Sequence, residues 1–126
     1  MPYELSFAKV VSPPDQDGYI NDCCYGGDVI GGVLLPHIKQ RYGEVQFDQE
    51  DWGWFLWFSE GRVGLAVDIF CDDPREGKYR AMLSSREKRV LLPDRTIDTK
   101  ELEELKGIVV PALEEWSGGA CIVEKA

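Results

Sequence analysis

From Tyr3 to Val11 the side chains fall into two alternating sets, Tyr3, Leu5, Phe7 and Lys9 against Glu4, Ser6, Ala8 and Val10. That period of two predicts a first strand. The run Ser12-Pro13-Pro14-Asp15-Gln16-Asp17-Gly18 ends it, because two prolines, a glycine and two acids favour a loop. After Gly26-Gly27 the pattern changes to helical spacing, with Ile30, Val33, Leu34, Ile38 and Tyr42. Asp28 is the expected N-cap and Gly43 the expected stop. Pro36 lies inside this stretch, so the helix either kinks there or begins its regular part near Leu35.

The middle of the chain reads as β. Asp51 to Ser59 places Trp52, Trp54, Leu56 and Phe58 on one side and Gly53, Phe55 and Trp57 on the other. With both sides apolar, this is either a strand covered on both faces or one whose second face is partly exposed aromatic surface. Glu60-Gly61-Arg62 is a short hairpin connection. Val63, Leu65, Val67, Ile69 and Cys71 then alternate with Gly64, Ala66, Asp68 and Phe70. A turn at Asp72 to Gly77 leads into a third hairpin strand, Lys78 to Glu87, with Tyr79, Ala81 and Leu83 inward. Val90-Leu91-Leu92-Pro93 is a short apolar piece expected to pair briefly before Asp94.

Asp98-Thr99-Lys100-Glu101 has the form of a capping box. Behind it Leu102, Leu105, Val109, Ala112, Leu113 and Trp116 form one helical stripe, ended by Gly118-Gly119. Pro111 predicts a bend, and Ala120 to Glu124 reads as a last short strand. The segments Gly32 to Ile38 and Gly107 to Leu113 echo one another, each with a proline four residues after its glycine. Two bent helices packed on the same sheet face account for this more simply than duplication. The order β-α-β-β-β-α-(β) predicts an α+β two-layer sandwich. Its mostly antiparallel sheet has four or five strands, and the whole chain, 1–126, forms a single domain.

Charge narrows the function classes. Of 126 residues, 14 are Lys or Arg and 23 are Asp or Glu, a net charge of −9. Such a balance disfavours a grip on nucleic-acid phosphates, which takes clustered cations. The longest apolar stretch, Trp54 to Phe58, is too short for a membrane span, and the first residues lack the basic and apolar regions of a secretory signal. The expectation is a cytoplasmic protein with no membrane association. The charge is also unevenly spread, with 3 basic and 8 acidic side chains in residues 1–50, 9 and 9 in 51–100, and 2 and 6 in 101–126.

Few residues suggest chemistry. Cys23, Cys24, Cys71 and Cys121 are expected to be free thiols, since no secretory context calls for a disulfide framework. Zinc ligation by three of these with His37 lacks the usual paired spacing, and a Cys–His nucleophile built from Cys23 or Cys24 lacks an orienting third residue. Asp68, Asp72 and Asp73 match no calcium loop, and the glycines from Gly26 to Gly32 match no phosphate-loop pattern. No cofactor or metal is expected. Arg80, Arg86 and Lys88 would share the outer side of the third hairpin strand, with Ser84 and Ser85 as further donors, as an anion patch. The plainer reading is that these cations guard an edge strand and pair with the acidic helices.

The aromatic strand is the most unusual feature. Trp52, Trp54 and Trp57 beside Asp48, Glu50 and Asp51 suit a protein interface, where aromatic anchors carry much of the binding energy. The leading expectation is a non-enzymatic binding domain for a protein partner of basic charge, following the charge logic of small acidic inhibitors and immunity proteins, with a homodimer also open. The alternative is a small-ligand or anion-binding domain, enzymatic or not, with a pocket between Gly26–Gly32 and the sheet.

Overall fold

A computed structural model describes residues 2–11, 19 and 22–125. The expected loop from Ser12 to Gly18 lies outside the described residues. Seven strands are present among the described residues: β1 (Tyr3–Ala8), β2 (Gln46–Glu50), β3 (Gly53–Glu60), β4 (Val63–Asp73), β5 (Lys78–Glu87), β6 (Arg95–Thr96) and β7 (Ile122–Lys125). Two helices, α1 (Gly27–Tyr42) and α2 (Lys100–Ser117), join them, and a single 3-10 turn spans Asp22–Cys24. The strands make one antiparallel sheet in the order β2-β3-β4-β5-β1-β7, with β6 beside β5. This is the α+β, helix-on-sheet architecture read from the chain, with more strands than the four or five expected.

Register builds the core. Leu56 lies opposite Val67, Val67 opposite Leu83, and Leu83 opposite Tyr3, so one inward residue per strand lines up across the sheet. Ile30, Leu34 and Ile38 of α1 and Leu102, Leu105, Val109 and Leu113 of α2 close over that stripe, all buried. At roughly 1.5–3 kcal/mol for each buried aliphatic or aromatic side chain, this stripe is the main source of stability. It also fixes which sheet face the helices can cover, because moving the register by one residue would turn every stripe residue outward.

Both helices run unbroken past their prolines. Pro36 and Pro111, with Gly32 and Gly107 four residues earlier, all lie on exposed positions, so the carbonyls that lose a donor sit on the solvent side. The echo therefore has a local structural reason in each helix.

Several local expectations change. The strand β2 was not foreseen because Phe47 is its one strongly apolar residue, and an edge strand needs no second. The pair β6 is too short to carry a pattern. The piece Val90 to Pro93 pairs with nothing and stands out in solvent as the loop between β5 and β6. Asp28 does not cap α1, since Gly26, at φ 88°, occupies that position and Asp28 falls in the first turn. The cap of α2 shifts by one residue. Thr99 Oγ1 accepts from the Leu102 amide at 3.0 Å, which leaves Asp98 to pair with Lys125 at 3.5 Å.

Two glycines test this packing in opposite directions. A Cβ on Gly53 would stand 2.0 Å from the Ile69 carbonyl oxygen, whereas one on Gly32 would meet nothing within 4 Å. Gly53→Ala is expected to lower stability by about 3 kcal/mol, since a backbone atom must move. Gly32→Ala should raise it by about 0.5–1 kcal/mol through helix propensity. Urea unfolding of both variants checks this, and equal midpoints would contradict the close approach at Gly53.

Candidate functional site

Strand periodicity gives the sheet a second face, and no described helix covers it. Its centre is nevertheless shielded. Phe55 points to this side yet is only 2% exposed, because Trp57, two residues along β3, stacks on it with ring centres 3.9 Å apart. Directly opposite Phe55 on β4 stands Asp68, whose Oδ1 accepts from Trp57 Nε1 at 3.0 Å. Burial pushes the Asp68 carboxyl above the usual carboxylate range, against the opposing pull of the Trp57 bond and the Arg86 charge. Trp57 is thus held at both its ring and its nitrogen.

The aromatic surface that reaches solvent is at one end of this face. Trp52 lies in the turn between β2 and β3, before the strand starts, so it does not follow the alternation expected for it. It is 38% exposed and packs on Phe70 of β4 at 5.2 Å. Glu50 and Asp51 flank it in sequence, and Asp48 sits one pair further along the same face, opposite Phe55. All three acids are exposed, and none joins an ion pair among the described residues. Trp54 belongs elsewhere. It faces the helices, packs on Phe47 at 5.4 Å, and donates from Nε1 to the Cys24 carbonyl at 2.9 Å, so it is not part of the exposed group. Of the six residues expected at an interface, the fold gathers Asp48, Glu50, Asp51, Trp52 and Trp57 on one side and turns Trp54 away.

One cation of β5 is paired within the sheet. Arg80 pairs with Asp72 at 2.7 Å and Glu4 at 2.8 Å, lies over the Phe70 ring, and is held more firmly protonated by both acids. Lys88 donates to Ser59 Oγ at 2.8 Å, and Arg86 faces the Asp68 charge. Ser85 points inward, fully buried, donating to the Ile97 carbonyl at 2.6 Å. The edge-guard reading also fails. β5 lies inside the sheet between β4 and β1, and the partners of Arg80 come from neighbouring strands, not helices.

The glycines from Gly26 to Gly32 open no cradle where they face the fold. A Cβ on Gly26 would meet the Tyr79 hydroxyl, on Gly27 the Trp54 ring, and on Gly31 the Phe47 ring, so side chains already fill the space proposed for a ligand. The Tyr79 hydroxyl has no hydrogen-bond partner among the described residues, and burial pushes it up to about 12. Asp28 instead accepts from the Tyr19 hydroxyl at 2.5 Å.

A disulfide joins Cys23 to Cys24, contrary to the expected free thiols. The 3-10 turn aims both sulfurs at the β2–β3 turn, against the Glu50 carbonyl oxygen at 3.9 and 3.2 Å. A bond between adjacent residues closes no chain loop, so it adds none of the usual cross-link stabilisation. Cys71 and Cys121 are free, and burial pushes them up to about 12 and about 11. They are therefore thiols at neutral pH, poor nucleophiles. His37 lines an exposed groove with Gln40, Arg41 and Ile108, away from the cysteines and from the arginines of the outer face. Asp68, Asp72 and Asp73 are each engaged separately, by Trp57, Arg80 and the Glu76 amide. No cluster of three metal-ligating side chains occurs among the described residues, and no described helix is long and apolar enough to cross a membrane.

No protein-family model, no curated protein and no solved structure matches the chain.

The buried carboxyl gives a direct test. A carboxyl with a raised folded pKa holds its proton more tightly in the folded chain. Its contribution favours folding at acid pH and is lost as pH rises from the ordinary aspartate range through the raised value. Asp68→Asn keeps an acceptor for Trp57 and is expected to raise the urea midpoint at neutral pH and flatten that loss. A lower neutral-pH midpoint in the variant would show that the ionised carboxylate stabilises the fold.

Proposed function

We propose that this is a non-enzymatic protein-binding domain, of the inhibitor or immunity type, whose partner presents a basic surface. The observation that carries the reading is the corner at Trp52. An exposed indole stands on Phe70, with the exposed carboxylates of Glu50, Asp51 and Asp48, which join no ion pair among the described residues, beside it on a face that no described helix covers. An aromatic anchor of this kind supplies affinity on desolvation, while surrounding charge of one sign selects the partner and speeds encounter. The net charge of −9 adds a long-range field of the same sign. Trp57 contributes less to such a surface, since its indole is already committed to Phe55 and Asp68.

Reading the chain as a small-ligand or anion-binding domain has less support. Side chains occupy the glycine turn it relied on, and the histidine, thiols and arginines it needed together lie on separate parts of the fold.

Affinity capture from native lysate followed by titration of the recovered partner tests the proposal. The partner is expected to be basic. Trp52→Ala should weaken binding by about 30-fold or more, the scale of an interface hot spot. The double substitution Glu50→Lys and Asp51→Lys should slow association and reduce its dependence on salt. A partner bound equally well by the Trp52→Ala chain, or one with an acidic binding surface, would overturn the reading.

A further inference from the structure

The loop between β5 and β6 carries the largest exposed aliphatic group among the described residues. Val90, Leu91 and Leu92 are 84%, 93% and 59% exposed, three in succession. Folded monomers avoid such runs unless something covers them. The loop is also shaped. Arg95 pairs with Glu87 across the β5–β6 ladder at 2.7 Å, and Arg89 Nε donates to the Pro93 carbonyl at 3.0 Å, closing the loop beneath its tip. The Lys88 amide donates to the Arg62 carbonyl at 3.1 Å, which adds the β3–β4 turn to the same end. The aliphatic tip thus rises from a base containing Arg62, Lys88, Arg89 and Arg95, with Glu87 and Asp94 as the acids of that stretch.

A complementary surface would be aromatic and acidic, and the chain itself has one. The Trp52 corner offers an exposed indole beside Glu50 and Asp51, at the other end of β3. The eight residues of β3 separate the two ends by about 27 Å, so the loop cannot reach its own corner. We infer that two copies of this chain associate as an antiparallel pair. The Val90–Leu92 tip of one packs on Trp52 of the other, and the cations at the base of the loop, Arg62 and Arg89, face Glu50 and Asp51. Each contact joins two unlike patches, and because the same two patches meet twice about a two-fold axis the interface is isologous and closes at two copies. This inference rests on the proposed role of the Trp52 corner and names a second copy as one occupant of it.

Sedimentation over a wide range of concentration, with Leu91→Asp and Trp52→Ala chains, is the test. Both positions are exposed, so both chains should fold as judged by circular dichroism. The wild type is expected to rise above the monomer mass with concentration, and each variant alone to lose that association. An equimolar mixture of the two variants should regain association above the monomer mass, because one supplies an intact corner and the other an intact loop. A wild type that stays monomeric, a Leu91→Asp chain that associates like the wild type, or a mixture that stays monomeric would each overturn the inference. Pelleting of the monomeric wild type with anionic phospholipid vesicles, lost in Leu91→Asp, would also overturn it and give the loop to a lipid surface. The Leu91→Asp chain keeps its Trp52 corner. If it still captures a basic partner while the wild type is monomeric, the self-contact fails and the proposed function stands.

Discussion

The structure depends on the closing of two helices over one face of an antiparallel sheet. Tyr3, Leu56, Val67 and Leu83 sit in register under Ile30, Leu34, Leu105 and Leu113, and all are buried. Because successive strand residues point to opposite sides, covering one face leaves the other without helices. The remaining features of the molecule follow from how that second face is made stable in water.

Its solution is a mixture of stacking and charge pairing. At the centre, Trp57 lies over Phe55 and uses its nitrogen on Asp68, so one indole covers an apolar ring and satisfies a carboxyl that burial would otherwise penalise. Towards β1, Arg80 joins Glu4 and Asp72 and rests on Phe70. These groups are committed to one another and have little left for a ligand. What stands out in solvent is at the two ends of the strands: the indole and acids of the β2–β3 turn, and the aliphatic tip of the β5–β6 loop above its cationic base. The molecule therefore carries two unlike surfaces on opposite ends of a self-satisfied sheet.

The β2–β3 turn is also closely packed. Gly27 admits the Trp54 ring, Gly53 admits the Ile69 carbonyl, and the joined sulfurs of Cys23 and Cys24 lie against the Glu50 carbonyl. An exposed anchor binds with less loss of freedom when its backbone is already fixed, and this packing supplies that fixation to Trp52. The glycines that suggested a ligand cradle in the chain serve close approach instead.

Alternation in Tyr3–Ala8, Val63–Cys71 and Lys78–Glu87 and the stripe from Leu102 to Leu113 were legible in the sequence, because burial of one face imposes its period directly on the residues. The weakly apolar strand Gln46–Glu50 was not, since an edge strand that packs only Phe47 against the core carries too few apolar residues to show a period. Nor was the position of Trp52, which leaves the alternation because it belongs to the two-residue turn that precedes β3. Local period and composition were enough to set the layers, the inward residues and the acidic character. That Trp54 is inside while Trp52 is outside, that Arg80 is already paired, and that Val90 to Leu92 joins no strand came from the assembled fold. Each of these depends on which strand lies beside which, and neighbours remote in the chain leave no period in it.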